Sequence, residues 1–323
     1  MKAFFCSCGQ RVFFDSTQCV ACGAALGFDP TKLEIVPITA DYWACQNNLD
    51  FQVCNWLLPA NTGLKYCMSC GLNEIIPNLG KPENLTLWHR LEGAKRRLLY
   101  TLLSLQLDFQ GDQASPGLRF RFLEDRRRNP DALEEFVATG HLAGTITINV
   151  AEADDVERTE QRNAMQERYR TLLGHFRHEA GHYYYGKLVC SPEKLREWRG
   201  IFGDERVDYG LRMQEYYADG PPPAWAHDFV SSYATAHPHE DWAESFSHYL
   251  HIIDALETLR SSGMTALQAG AERGWLLEWM QLSVTLNELN RSLGLDDAYP
   301  FVQSGPVIDK LEFIDRLVHQ RGA

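Results

Sequence analysis

The chain lacks the sequence features of a secreted or membrane-spanning protein. Its N-terminal stretch, MKAFFCSCGQRVFF, contains no apolar run of about 7–15 residues, which a secretory signal requires. The longest apolar stretch, residues 98–107, is about half as long as a segment that crosses a bilayer. We therefore expect a soluble, cytoplasmic protein with no membrane partner.

An excess of basic residues is also absent. The formal net charge is -12 and the isoelectric point is near 5.4. Residues 1–82 hold five basic side chains against six acidic ones, so no local basic patch compensates. Because neutralising phosphates dominates nucleic-acid affinity, we expect no nucleic-acid partner.

Cysteine is almost absent after residue 70. Eight of the nine cysteines fall in the first quarter of the chain, and only Cys190 lies beyond it. Close pairs of cysteines on tight turns are typical of zinc ribbons, in which four thiolates surround one ion. The spacing favours two such shells, formed by Cys6, Cys8, Cys19 and Cys22, and by Cys45, Cys54, Cys67 and Cys70.

Glycine follows the second cysteine of each close pair, at Gly9, Gly23 and Gly71. A metal-binding turn needs such a permissive backbone, with N–H groups that point at sulfur. The wide spacing from Cys45 to Cys54 is less typical, and four disulfides are the alternative, which the absence of a secretion signal disfavours. We predict two structural zinc ions in a domain that is structural or binds a protein partner, because a closed four-thiolate shell leaves no position for a substrate.

The composition changes near residues 71–86, where prolines, glycines and asparagines indicate a domain boundary. We predict a zinc-ribbon domain at residues 1–82 and a second domain at residues 83–323. Helical spacing follows at 87–107, strand-like patterns at 109–124 and 144–151, and helical patterns from 159 onward. The expected fold class is therefore α+β: zinc ribbons followed by a mostly helical domain with a small sheet.

Residues 161–188 have apolar side chains every three to four positions, which predicts one amphipathic helix. His178 and His182 are one turn apart on it and project to the same side, so both imidazoles can reach one cation. Glu179 is turned by about 100° and can address a water molecule bound to that cation. The alternative is a helix with two surface histidines, so the pattern needs a third ligand.

The stretch HPHEDWAESFSHYLH, residues 237–251, is where we expect that ligand. Pro238 marks a helix start, and the carboxylates of Glu240 and Glu244 share a face with His248 and His251. No lysine or arginine occurs between residues 225 and 259, so this polar face would be poorly compensated without a metal ion. We predict that Glu240 ligates zinc and that Glu244 hydrogen-bonds a ligating histidine. A solvated helix face, or His239 or His248 as third ligand, are the alternatives.

Several stretches together resemble the bacterial zinc-binding metallopeptidases that carry an N-terminal zinc-ribbon domain. They are Cys-x-Cys-Gly-Gln at 6–10, Cys-Asn-Trp at 54–56, His-Phe-Arg-His-Glu-x-Gly-His-Tyr-Tyr at 175–184, Phe-Gly-Asp-Glu-Arg at 202–206 and His-Pro-x-Glu-Asp-Trp-Ala-Glu at 237–244. The resemblance covers nearly the whole chain and implies a zincin-type peptidase domain with glutamate as third ligand. The spacing of Glu240 and Glu244 is also similar to that of the gluzincins.

The expected activity is peptide-bond hydrolysis of a peptide or protein substrate, with one catalytic zinc ion. Three protein ligands leave a position for water, and Glu179 is the expected general base. Tyr233 is the candidate to stabilise the oxyanion; it could instead be a core tyrosine, with Tyr183 to Tyr185 or His248 in that role.

Two other functions fit the same sequence less well. One is an interaction or scaffold protein whose ribbons bind a partner and whose zincin-like domain is weakly active or inactive, because the bulky tyrosines at 183–185 crowd the site. The other is a deformylase-like hydrolase, which would need a cysteine ligand upstream of the histidine helix. Cys190 lies downstream and is expected to be a buried thiol.

Overall fold

The computed structural model describes residues 1–111, 116–164, 171–263 and 274–320. It divides the chain into two compact units, Met1–Phe176 and Arg177–Ala323. Helices and small sheets in the described residues confirm the α+β class. The boundary predicted at residue 82 falls inside the first unit and stays a prediction.

The first unit begins with three two-stranded antiparallel ribbons. Their strands are β1 (Phe4–Phe5), β2 (Arg11–Val12), β3 (Leu26–Asp29), β4 (Glu34–Pro37), β5 (Tyr42–Ala44) and β6 (Leu57–Pro59), with α1 (Gln46–Phe51) between the last two. A buried aromatic cluster joins the ribbons to α2 (Pro82–Ser104), because Tyr100 of this helix contacts Phe14 and Phe28 at ring-centroid distances of 5.5 and 6.0 Å. The ribbons and α2 therefore share one core.

A four-stranded sheet completes the first unit, in the order β7 (Asn73–Ile75), β8 (Arg119–Leu123), β10 (Thr145–Asn149) and β9 (Gly140–Leu142). The central pair, β8 and β10, is parallel, and Phe120, Phe122, Ile146 and Ile148 are buried on it. The strand predicted at 109–124 is shorter than expected. Leu118 N donates to Phe109 O (2.8 Å) and Gly111 has φ +77°, so the chain folds back before β8 begins.

The continuous helix predicted over 161–188 is wrong. The structure has α3 (Asp155–Ala164) and α4 (Leu172–Leu188), and Thr171 between them is not helical. The Thr171 hydroxyl accepts a hydrogen bond from Gly174 N (3.0 Å), which is the capping interaction that starts a new helix. Two apolar positions of the predicted stripe, Met165 and Tyr169, lie outside the described residues.

The second unit is helical in its described part. After the rest of α4 it contains α5 (Pro192–Phe202), α6 (Tyr209–Asp219), α7 (Pro238–Ser261), α8 (Gly274–Ser292) and α9 (Gly305–His319). Its core lies around α7, where Trp242 and Phe246 are fully buried. None of the helices in the described ranges is both long enough and apolar enough to cross a membrane.

Candidate metal centres and active site

The first cysteine cluster brings together Cys6, Cys8, Cys19 and Cys22. Two pairs of sulfurs, Cys6 with Cys22 and Cys8 with Cys19, are each 3.7 Å apart. The following glycines close the two turns: Gly9 and Gly23 have φ +85° and +75°, and their N–H groups donate to the carbonyls of Cys6 and Cys19. An ion 2.3 Å from four tetrahedral sulfurs would separate them by about 3.8 Å, so this cluster fits zinc.

The second cluster brings together Cys45, Cys54, Cys67 and Cys70 with their ligand atoms within 4.8 Å of one another. The sulfurs of Cys54 and Cys67 are 3.6 Å apart, again the spacing of a tetrahedral zinc shell. Backbone N–H groups of Trp56, Cys67 and Cys70 point at three of the sulfurs from 3.4 Å. Gly71 differs from the other two glycines, because it lies in a 3-10 turn, Cys70–Leu72, without a positive φ.

Burial separates the two clusters. Cys8 and Cys22 of the first are exposed, whereas all four cysteines of the second are buried. Behind the second cluster lies a buried charged group on α2: Glu92 Oε2 is 3.9 Å from Cys70 Sγ, and Lys95 Nζ is 2.9 Å from Glu92 Oε1. Asn73 Nδ2 also donates to Glu92 Oε1, at 2.7 Å.

The third cluster unites α4 with α7. His178 Nε2 and His182 Nε2 are 3.1 Å apart, and Glu240 Oε2 is 3.1 Å from His178 Nε2. The other carboxylate oxygen, Glu240 Oε1, is 3.5 Å from His182 Nε2. Two nitrogens bound to one tetrahedral zinc ion would be about 3.3 Å apart, so these three side chains fit a single ion.

Glu244 fixes the orientation of one of these imidazoles. Its Oε1 is 2.7 Å from His178 Nδ1, and the hydroxyl of Ser231 donates to its Oε2 at 2.6 Å. With Nδ1–H donating to Glu244, the lone pair of His178 Nε2 is directed at the point where His182 and Glu240 meet.

The electrostatics of the cluster favour a positive charge at its centre. Burial disfavours the charged form of His178, but hydrogen bonds to Glu240 and Glu244 outweigh it and raise its pKa well above the usual value. Burial tends to raise the pKa of Glu244, yet the hydrogen bond to His178 is among the contacts that lower it to about 2. A divalent cation would supply the positive charge that these carboxylates require.

Glu179 lies beside this cluster. It is buried, with 7% of its surface exposed, and its carboxylate accepts no hydrogen bond from the described residues. Its charge is close enough to the Tyr209 phenol to contribute to raising the pKa of that group, behind burial and Glu240. The Glu179 side chain thus follows a residue of the third cluster directly in α4 and forms no hydrogen bond with another described residue.

A close contact between two helices builds the third cluster. A Cβ on Gly181 of α4 would lie 2.9 Å from Cα of Ala243 in α7, so only glycine allows this approach. Trp242 Nε1 donates to Gly181 O at 2.8 Å across the same contact. Tyr184 is fully buried and stacks on Phe246, so its bulk fills the core instead of crowding the site.

The two alternative third ligands lie elsewhere. The ring of His239 packs on Tyr185 at a centroid distance of 4.6 Å, and His248 Nδ1 is 2.7 Å from the Tyr299 hydroxyl. Neither belongs to the groups of potential ligands found in the described part of the chain. Of the remaining predicted residues, Tyr233 places its ring 5.9 Å from the ring of His178.

The surroundings differ from the expectation in two respects. Cations from distant positions reach α7, because Arg177 pairs with Asp254 and Lys310 with Asp241, each at 2.7 Å, although the ion pairs of Glu240 and Glu244 in the described residues are with histidines. Cys190 is exposed, not buried, because it follows the end of α4 and precedes the cap of α5.

Two further residues contribute to the site without a local sequence signal. Tyr209, at the start of α6, donates its hydroxyl hydrogen to Glu240 Oε1 at 2.9 Å. Ser231 lies in the segment before α7 and donates to Glu244. No pattern within one segment predicts either contact, because both depend on how separate segments pack.

Two cysteine clusters and a His-Glu-x-x-His helix paired with a glutamate define a protein of the zinc-binding metallopeptidase class. The chain belongs to the family described as "Putative zinc-binding metallo-peptidase", which matches residues 84–317, and a zinc-ribbon domain matches residues 3–81.

Similar proteins occur in mycobacteria. The uncharacterized proteins Rv2568c of Mycobacterium tuberculosis and Mb2598c of Mycobacterium bovis are each 42% identical over 335 residues, covering 99% of this chain and 96% of theirs. No solved structure matches the chain.

Proposed function

We propose that the protein hydrolyses peptide bonds with a zinc ion held by His178, His182 and Glu240 and with Glu179 as general base. The observation that carries this proposal is the convergence of the ligand atoms of His178, His182 and Glu240. Glu179 follows His178 directly on α4, is buried, and forms no hydrogen bond with another described side chain. A site that only stores zinc for structure has no use for a free carboxylate there. The family to which the chain belongs supports the same reaction class.

Zinc, when bound at these three residues, supplies Lewis acidity to the reaction. The Glu179 carboxylate takes the proton of the attacking water and passes it to the nitrogen of the leaving amine. Glu244 holds His178 by its Nδ1–H, so that the other ring nitrogen keeps its lone pair for the metal. Hydrolysis thus assigns separate tasks to three acidic side chains, Glu179, Glu240 and Glu244.

Tyr233 is the proposed donor to the oxyanion. Its ring lies near His178, and burial is the main cause that raises its pKa, so the phenol keeps its proton. A phenolic hydroxyl that is not ionised can donate to a charge that develops during the reaction. Tyr209 is less suited, because its hydroxyl already donates to Glu240.

The two cysteine clusters are proposed to hold two further zinc ions with a structural role. Their sulfur spacing fits closed tetrahedral shells, and such shells have no position for a substrate. A protein partner could bind the ribbon surface, where the large apolar side chains Phe13 and Val20 are exposed. The proposed cellular location is the cytoplasm, where reduced cysteines bind zinc instead of forming disulfides.

Glu179→Gln tests the proposed base. We expect this variant to keep its zinc content and to lose peptide hydrolysis by about 10²–10⁴-fold, the range for a general base. Zinc per chain would be measured by mass spectrometry, and cleavage by incubation with a mixed peptide library. Glu193→Gln, an exposed position on α5, is the matched control and should hydrolyse the library like the wild type.

The alternative is a zinc-ribbon interaction or scaffold protein whose zincin-like domain is weakly active or inactive. No cleavage by wild type or Glu179→Gln, with all zinc bound to both, would favour it, whereas equal cleavage by the two would contradict Glu179 as the base. Tyr183 and Tyr184 are buried, and Tyr185 packs against Trp198, so these contacts weaken crowding as an argument for this alternative.

A further inference from the structure

The stretch Phe-Gly-Asp-Glu-Arg at 202–206 contains no residue of the proposed reaction, yet it leads directly to Tyr209. It connects the end of α5 to the start of α6. Gly203 has φ +100°, a conformation that favours glycine, and it turns the chain away from α5. The turn thus determines where Tyr209 is placed.

Ion pairs hold this turn in shape. Arg199 Nε lies 2.8 Å from Glu205 Oε2, and Arg206 contacts both carboxylate oxygens of Asp204. Asp208 then caps α6 by accepting a hydrogen bond from Leu211 N at 2.8 Å. The backbone on both sides of Val207 is therefore fixed by short-range contacts.

His237 connects the turn to the helix that carries Glu240. Its Nδ1 accepts a hydrogen bond from His239 N at 3.1 Å and so caps α7. Its Nε2 lies 3.2 Å from Val207 O, and its ring centroid is 5.1 Å from that of Tyr209. With Nδ1 as acceptor, the neutral ring carries its proton on Nε2 and donates it to Val207 O.

Tyr209 completes the connection at the carboxylate itself. Its hydroxyl donates to Glu240 Oε1 at 2.9 Å, while Glu240 Oε2 faces His178 Nε2 at 3.1 Å. The phenol thus holds the oxygen that faces His182 Nε2 at 3.5 Å, and the other oxygen stays directed at His178. Although 47% of the Tyr209 side chain is exposed, its polar atom points into the site.

We propose that Tyr209 and His237 are positioning residues that fix the Glu240 carboxylate for metal binding. This inference rests on the proposed zinc site, but not on hydrolysis. His237 caps the start of α7 and contacts Val207 O, so it fixes the position of the 202–208 turn relative to that helix. Tyr209 then restricts the rotation of the Glu240 carboxylate. Partners of this kind around ligating carboxylates raise metal affinity because they preorganise the ligand.

Tyr209→Phe tests the role of the hydroxyl and removes a single oxygen atom. We expect the affinity of the third zinc ion to fall roughly 10–100-fold, the usual effect of losing such a partner. Zinc affinity would be measured by competition with a chromophoric chelator, with the zinc of the cysteine clusters as internal reference. Tyr217→Phe is the matched control, since this tyrosine on the same helix is 65% exposed and should leave the affinity unchanged.

A double-mutant cycle tests the connection through His237. His237→Asn should also lower the zinc affinity of the third cluster. The loss should be smaller in the Tyr209→Phe background, because both residues act on the same carboxylate. Strictly additive losses would remove His237 from the proposal. Unchanged affinity in Tyr209→Phe would overturn the role of Tyr209.

Glu240→Ala distinguishes failure of this inference from failure of the site. If Glu240→Ala loses one zinc ion and Tyr209→Phe binds zinc like the wild type, only the positioning role is wrong. If Glu240→Ala keeps all of its zinc, the ligand assignment is wrong and the positioning role is wrong with it.

Discussion

The cysteine clusters and the histidine cluster are built in different ways. Each cysteine cluster is assembled from short turns within the ribbons, where N–H groups point at sulfur from the same or the neighbouring turn. The histidine cluster needs two helices whose contacting residues, His178 and Glu240, are 62 positions apart in the chain. Four-sulfur shells are closed, whereas three donors with a carboxylate beside them leave room for chemistry. In the proposed function, this difference separates metal that stabilises the fold from metal that takes part in the reaction.

The two cysteine clusters differ from each other as well. The second is buried and lies beside Glu92, Lys95 and Arg96, which are themselves buried. A zinc ion with four thiolates carries a net charge of about -2, so the two cations of this group, which outnumber its one carboxylate, would offset part of the charge of a loaded cluster. The first cluster has two exposed cysteines, Cys8 and Cys22. We therefore expect the second cluster to be part of the core and the first to be peripheral.

Lys95→Met should have the largest effect on stability. It removes the cation from a fully buried pair and leaves Glu92 beside the Cys70 sulfur, which we expect to cost about 3–5 kcal/mol of unfolding free energy. Urea denaturation followed by circular dichroism measures this loss.

Arg97→Met is the control for this prediction. Arg97 lies on the same helix, but its pair with Asp15 is half-exposed, so its loss should cost no more than about 1 kcal/mol. Equal losses in the two variants would contradict the idea that the second cluster depends on buried charge.

Gly181→Ala should have an intermediate effect confined to the histidine cluster. The added Cβ would meet the backbone of Ala243, so α4 and α7 must separate, at an expected cost of about 1–3 kcal/mol. The affinity of the third zinc ion should fall, while the cysteine clusters keep their zinc. Chelator competition on the purified variant measures both.

Gly186→Ala provides the comparison on the same helix. A Cβ at Gly186 meets nothing within 4 Å, so only the gain in helix propensity remains, up to about 1 kcal/mol of added stability. If both alanine variants behaved alike, the close contact of α4 with α7 would not be what forms the site.

The smallest expected effect is a difference in the rate at which the two cysteine clusters release zinc to a chelator. A chelator should strip the first cluster before the second, because Cys8 and Cys22 are exposed. Alkylation of freed thiols at successive times, followed by peptide mass spectrometry, reports the order. If Cys45, Cys54, Cys67 and Cys70 lost their zinc first, the second cluster would not be the more protected one.

Patterns within short segments could be predicted from the sequence, and the class of fold with them. The α+β class and the family are confirmed, because cysteine pairs and helical periodicity are local signals. Helix α7 begins at Pro238 as predicted, since proline at the first position and an acidic first turn define a helix start. The structure also brings His178, His182 and Glu240 together, although their roles as ligands stay a prediction.

Contacts between distant segments could not be predicted in this way. Tyr209 reaches Glu240 only because the turn at Gly203 and the cap at His237 place it there. The cations that balance α7, Arg177 and Lys310, come from other helices, so counting charges within residues 225–259 missed them. The helix is interrupted at Thr171, where one hydroxyl caps α4, and the spacing of apolar residues cannot predict such a cap.

The proposed function depends on one zinc ion held jointly by imidazoles of α4 and a carboxylate of α7. Anomalous diffraction at the zinc edge, from crystals of the zinc-loaded protein, would locate this ion. We expect a peak about 2.0–2.2 Å from His178 Nε2, His182 Nε2 and one oxygen of Glu240, with Glu179 beside it but not bound to it. A peak whose coordination shell excludes Glu240, or no peak between the two helices, would contradict it.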